Sequence, residues 1–152
     1  MRQPSVKIRV LWPGRTRVSH YKSAIEDYAG RIRKLSPFEI VETRERALRD
    51  KQRDVRISEE SRDLQARVRP SVAVYFDPGG KAISSEELAR WLQNHNAQAD
   101  FILGGPEGCW LPEKATVFSF GRITLPHELA RVVLLEQIYR ALTILRKIPY
   151  HK

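Results

Sequence analysis

The spacing of apolar positions changes period several times along the chain, and each change marks an element. Val6-Lys7-Ile8-Arg9-Val10 alternates apolar and basic residues, which predicts a half-buried strand closed by Trp12-Pro13-Gly14. Tyr21, Ile25, Tyr28, Ile32 and Leu35 then recur at spacings of four and three, one stripe of an amphipathic helix that Pro37 stops. Phe38-Glu39-Ile40-Val41-Glu42 returns to a strand pattern. Residues 44 to 69 are dominated by charge, with Val55, Leu64 and Val68 as a weak apolar face; they predict a mobile loop passing into a helix closed by Pro70. Val72-Ala73-Val74-Tyr75-Phe76 is continuously apolar, the pattern of a buried parallel strand, and Asp77-Pro78-Gly79-Gly80 predicts a turn after it.

Ser84-Ser85-Glu86-Glu87 is a capping box, and Leu88, Trp91 and Leu92 behind it face the core. Asp100-Phe101-Ile102-Leu103 and Val117-Phe118-Ser119-Phe120 are short strands. From His127 to Lys147 a long helix carries two stripes, one of Leu134, Ile138, Ala141, Leu142 and Leu145, the other of Leu129, Val132 and Val133. Two apolar faces predict burial on both sides, one against the sheet and one against a second subunit. Strands and helices alternate, so the class is α/β with a mostly parallel sheet, in a single domain over residues 1–152.

Charge narrows the partner. Among 152 residues, 27 Lys and Arg face 18 Asp and Glu, a net +9 that favours an anionic partner, above all a nucleic acid. The arginines before Ser58 (Arg44, Arg46, Arg49, Arg53 and Arg56, with Lys51) form the candidate RNA-facing patch. The lone Cys109 excludes an intrachain disulfide and suits a reducing cytoplasm. Met1-Arg2-Gln3-Pro4 leads toward a strand rather than a signal segment, no apolar run has the length of a membrane span, and no CxxC or HxxxH spacing suggests a metal.

Ligands of open α/β sheets bind beyond the carboxyl ends of the strands, which singles out the loops after Phe76, Leu103 and Phe120. Gly104 and Gly105 let backbone approach a ligand, or simply make a tight turn; neither GxGxxG nor a Walker loop is present. Gly121-Arg122-Ile123-Thr124-Leu125 offers main-chain groups between apolar side chains, suited to a flat neutral ring such as adenine. His127 caps or orients the helix that follows, and Trp110 reads as a packing residue beside a bystander Cys109.

Four motifs in order carry a resemblance. Phe76-Asp77-Pro78-Gly79-Gly80-Lys81 with Ser84-Ser85-Glu86, Leu103-Gly104-Gly105-Pro106-Glu107-Gly108, Thr124-Leu125-Pro126-His127 with Glu136-Gln137-Ile138-Tyr139-Arg140-Ala141, and Pro149-Tyr150-His151 together resemble the bacterial RlmH family. These are minimal SPOUT methyltransferases that methylate a pseudouridine at N3 in 23S ribosomal RNA. The resemblance implies a SPOUT-type sheet with a deep C-terminal trefoil knot, a homodimer built on the last helix, and action on assembled ribosomes. It implies S-adenosylmethionine held by Phe76, Gly104, Phe120, Gly121, Arg122, Ile123, Thr124 and Leu125. The tail Tyr150-His151-Lys152 would then carry the chemistry. The chain departs from the family at Trp12-Pro13-Gly14-Arg15, where a Val-Gly-Lys turn is usual, at Lys152, where Arg is common, and at Cys109-Trp110.

Methylation at an imide nitrogen requires loss of its proton, with His151 or Glu107 as base, or with Lys152 or Arg140 stabilising the anion while water takes the proton. Two other functions fit the same residues: a non-enzymatic RNA-binding or ribosome-assembly protein, and a SPOUT methyltransferase acting on another RNA such as tRNA.

Overall fold

The computed structural model describes residues 6–46 and 52–152. Its order is β1 (Ile8–Pro13), α1 (Ser19–Arg33), β2 (Phe38–Thr43), α2 (Arg53–Gln65), a short 3-10 turn at Pro70–Val72, β3 (Ala73–Ala82), α3 (Ser85–Asn94), β4 (Ala99–Leu103), β5 (Thr116–Ser119) and α4 (His127–Leu145). Five parallel strands form one sheet in the order β2-β1-β4-β3-β5. The leader Met1–Pro4 and two members of the arginine patch, Arg49 and Lys51, lie outside the described residues.

The period-two pleat sorts each strand between two faces. Ile8, Val10, Trp12, Val74, Phe76, Phe101 and Leu103 point into the larger core, where α1, α3 and α4 pack. Leu11, Val41, Tyr75 and Ile102 point to the other face, which Leu64 of α2 covers. β1 is therefore not half-buried. It lies between β2 and β4, and Ile8, Val10, Leu11 and Trp12 have no exposed surface. The strand also runs through Trp12 to end at Pro13.

Other elements depart from expectation for local reasons. The Asp77–Gly80 turn sits inside β3: the ladder with β5 breaks after Phe76 and resumes at Lys81, so Phe118 faces both residues. Gly80 permits this, since a Cβ there would lie 2.7 Å from the Phe118 carbonyl carbon. On α2 the inward face is polar: Arg56, Glu60 and Ser61 are buried with Leu64, while Val55 is exposed. Helix α1 ends at Arg33, so Leu35 packs from beyond its end, and α4 ends at Leu145 because Lys147 turns left-handed at φ 56°. The capping box of α3 forms as expected, with Glu87 N donating to Ser84 Oγ at 3.1 Å and Ser84 N donating to Glu87 Oε1 at 3.4 Å.

Two long-range contacts bind the start of α4 to the loop after β1. Glu128 accepts hydrogen bonds from Arg17 N and Val18 N, both 2.9 Å, and so fixes the chain where it enters α1, whose first turn has no side-chain cap. Arg131, almost wholly buried, donates to the Pro13 carbonyl at 2.6 Å and to Thr16 Oγ1 at 3.0 Å, with its guanidinium 4.8 Å from the Trp12 ring centroid. Burial pushes its pKa down to about 10.

Candidate active site

β4, β3 and β5 are neighbours, so the loops that leave their carboxyl ends converge. Between them lies a cleft of about 450 Å³, within the range of small-molecule sites. One wall is the glycine turn from Leu103 to Cys109; the opposite wall is Phe120, Gly121, Ile123, Thr124 and Leu125. The floor includes Phe76, whose ring stacks on Phe120 at 4.5 Å and 17°. His127 and Ala130 of α4 close one end.

Both walls are shaped by backbone. A Cβ on Gly104 would lie 2.6 Å from the Gly108 carbonyl carbon and 2.8 Å from Cys109 N, so the turn closes on itself only with glycine there. Gly108 N donates to the Gly105 carbonyl at 3.0 Å, and Gly108 takes φ 87°. On the other wall Gly121 takes φ 108° and its N–H donates to Ser119 Oγ at 3.2 Å. The N–H groups of Arg122, Ile123, Thr124 and Leu125 donate to no acceptor among the described residues. Residues 122–124 are exposed, so these donors are open to water or to a ligand beside the apolar side chains.

Of the eight residues expected at a cofactor, seven line this cleft; Arg122 does not, and its side chain is exposed to solvent. Asp77, Pro78 and Glu107 also line it. They stood within the quoted motifs without being singled out for the cofactor. Glu107 is held by Arg56 at 3.0 Å and Arg53 at 3.1 Å, which occupies both carboxylate oxygens and argues against its use as a base. Burial, with Asp77 and Glu60 nearby, pushes the Cys109 thiol up to about 12, so it stays protonated. Burial, with Arg131 nearby, lowers the pKa of His127.

The tail stands apart from this cleft. Tyr150, His151 and Lys152 are not among its lining residues. Tyr150 packs edge-on against Tyr139 at 4.7 Å with Arg140 4.8 Å from its ring centroid, and Lys152 is exposed. His151 lies between Arg140 Nη1, 3.0 Å from Nδ1, and Glu86 Oε1, 2.7 Å from Nε2. A guanidinium only donates, so Nδ1 accepts and Nε2 carries the proton given to Glu86. In this arrangement both ring nitrogens are engaged. A second hollow of about 280 Å³, lined by Ser84, Ser85, Val133 and Gln137, shares Phe76 and Phe120 with the cleft. Glu86 and Glu136, which bonds Arg140 at 2.7 Å, stood in the quoted motifs with no role assigned, because their roles depend on which residues the tail meets.

The arginine patch is only partly available. Arg46 turns inward to Asp63 at 2.8 Å and Arg56 to Glu107, whereas Arg44 and Arg53 are exposed. Trp110 is 52% exposed and is not a packing residue. Among the described residues no group of His, Cys, Asp and Glu has the arrangement of a metal site, and no helix is long and apolar enough to cross a membrane.

Known proteins share this sequence along nearly its whole length. The Ribosomal RNA large subunit methyltransferase H of Gloeobacter violaceus is 40% identical over 151 residues, covering 96% of this chain and 99% of the relative. That of Gemmatimonas aurantiaca is 39% identical over 154 residues, covering 97% and 100%. That of Limosilactobacillus fermentum is 35% identical over 159 residues, again covering 97% and 100%. A family model described as "Predicted SPOUT methyltransferase" matches residues 6–151. With a parallel sheet whose adjacent strand ends build one cleft, and with matches of this extent, the chain belongs to the SPOUT methyltransferase family, among the relatives named ribosomal RNA large subunit methyltransferase H.

Proposed function

We propose that the chain transfers a methyl group from S-adenosylmethionine to N3 of a pseudouridine in 23S ribosomal RNA, acting on the ribosome in the cytoplasm. The observation that carries this reading is the cleft itself: unpaired amides at residues 122–125 opposite a glycine turn, at the carboxyl ends of β3, β4 and β5. Relatives of near-equal length are named for methylation of large-subunit ribosomal RNA, and the net charge of +9 suits that substrate.

The residues present fit the cofactor. Leu103, Ile123 and Leu125 give apolar walls for a flat ring, the free amides give donors for its edge, and the glycine turn leaves room for close approach. When bound, S-adenosylmethionine supplies a methyl already activated on a sulfonium, so the protein's task is mainly alignment. Phe76, Gly104, Phe120, Gly121, Ile123, Thr124 and Leu125 hold it, with Arg122 at the rim.

Tyr150, His151 and Lys152 manage the target base. For His151 to take the imide proton it must first release Arg140, which occupies its lone pair. Arg140 and Lys152 are the cations available to stabilise the resulting anion. The protein works as a homodimer through α4, whose second stripe keeps part of Leu129 open while Val132 packs in part against the core and Val133 lines the second hollow. Residues 1–152 form one domain whose C-terminal third is threaded as a trefoil knot, an exception to the rule against threading.

Calorimetric titration with S-adenosylmethionine, followed by mass analysis of ribosomes treated with the protein and the cofactor, tests the reading. Micromolar binding and a single added methyl on a 23S pseudouridine are expected. No cofactor binding, or a methyl found on tRNA instead, overturns it.

A further inference from the structure

The chain has three tryptophans, and two are satisfied within the fold. Trp12 is buried under Arg131 with its indole N–H facing Glu42 Oε2 at 3.4 Å. Trp91 stacks on His95 at 3.9 Å and packs toward Phe101 and Phe118. The indole of Trp110 makes no ring contact, cation contact or hydrogen bond with any described residue, and half its surface is open. Its backbone, in contrast, is held: Trp110 N donates at 2.8 Å to Ser61 Oγ, a residue of α2 that is 1% exposed. The preceding Cys109 packs into the smaller core, beside Val117 and Ala115. An indole is thus presented to solvent just after a point where the loop is held.

Its neighbours make the exposure more than incidental. Six large apolar residues are exposed among the described residues, and three of them, Trp110, Leu111 and Ile123, stand on the two loops that bound the cleft. Ile123 is 81% exposed, the most of any. A lone exposed apolar side chain needs no explanation, but a group around one cleft mouth marks a binding surface. Exposed cations, Lys114 and Arg122, stand on the same two loops, with Glu113 as an exposed anion. An aromatic face flanked by cations in a chain of net +9 is what an unpaired nucleobase recognises: the ring stacks and the cations meet the adjoining phosphates.

We propose that Trp110, one residue beyond the cleft wall at Cys109 and followed by the exposed Leu111, is a stacking platform for an unpaired base of the RNA substrate. This rests on the reading of the chain as an RNA methyltransferase and assigns it a contact outside the cofactor and tail residues. The rigid backbone means that little order is lost on binding, so the indole contributes mostly to affinity for single-stranded or looped RNA and little to duplex.

The test compares wild type, Trp110→Phe and Trp110→Ala for binding to a 12-nucleotide single-stranded oligouridine, to a duplex RNA of equal length, and to S-adenosylmethionine. Trp110→Ala is expected to weaken single-strand binding by roughly 5- to 100-fold, Trp110→Phe to restore part of it, and duplex and cofactor affinities to stay put. Quenching of the Trp110 fluorescence by the oligouridine, lost in both variants, is the matching spectroscopic sign. Equal single-strand affinity in wild type and Trp110→Ala overturns the proposal. So does a fall in oligomeric mass in Trp110→Ala by sedimentation, which would make the patch an interface between copies. Failure of wild type to bind S-adenosylmethionine would instead strike the methyltransferase reading, leaving the oligouridine comparison intact.

Discussion

Asp100 shows how much one residue can organise. It lies fully buried at the start of β4 and accepts from Arg9 Nε and Nη2 and from Arg69 N, Nε and Nη2 at 2.7–3.0 Å. Arg69 also reaches the carbonyls of Val6 and Lys7. The strap between α2 and β3 is thereby tied to the amino ends of β1 and β4, opposite the cleft. Burial alone would raise the Asp100 pKa, but the hydrogen bonds from Arg9 and Arg69 prevail and it falls below its ordinary value. With a folded pKa below the unfolded one, the unfolded chain binds more protons between the two. The stabilisation is therefore complete above the unfolded carboxylate range and lost as pH falls through the folded value. Asp100→Asn leaves two guanidinium groups without their anion and should cost about 3 kcal/mol at neutral pH. Urea midpoints at pH 7 and at pH 3 check both parts: the gap between variant and wild type should narrow in acid.

At the scale of elements, glycines separate positions where backbone freedom matters from positions where it does not. Gly30 lies in α1 with nothing within 4 Å of an added Cβ, so Gly30→Ala should stabilise by about 0.5–1 kcal/mol. Gly104→Ala meets backbone at 2.6 Å; the turn must open, and calorimetry should show cofactor affinity falling by roughly tenfold or more. Thermal midpoints of the two variants should move in opposite directions. Ser84→Ala removes one half of the α3 capping box and should cost about 1 kcal/mol by urea unfolding. These local features were legible in sequence: the capping box, the stripe on α1, the buried run of β3, and the loops of the cleft all follow from short-range spacing. What escaped depends on distant partners. Glu128 fixes the chain entering a helix that begins some hundred residues earlier, and Arg131 is buried against Trp12 and Pro13. The β1 pattern read as half-buried because Lys7 and Arg9 alternate with apolar residues, yet Arg9 is drawn inward by Asp100. The tail was expected to carry the chemistry, and its seat on α3 and α4 within this chain depends on Glu86 and Arg140, distant partners that its own short motif does not name.

The whole molecule carries its charge unevenly between inward and outward roles, and this sets how it meets RNA. Arg9, Arg46, Arg56, Arg69 and Arg131 are spent on internal carboxylates or carbonyls. Arg15, Lys22, Arg90, Lys114, Arg122, Lys147 and Lys152 are exposed and pair with no acid among the described residues. Exposed cations of this kind can displace counterions from a phosphate backbone. If about six of them contact phosphates, raising salt from 50 to 200 mM should weaken RNA binding by roughly 10³-fold. On the proposed reading S-adenosylmethionine would be held by backbone amides and apolar walls, so its affinity should hardly change over the same range. Titrations of wild type with ribosomes and with cofactor, at both salt concentrations, decide the matter. A steep slope for RNA beside a flat one for cofactor fits an external basic surface separate from the cleft. A flat slope for both would mean that the exposed lysines and arginines do not face the RNA, and that shape and stacking at the cleft mouth carry recognition instead.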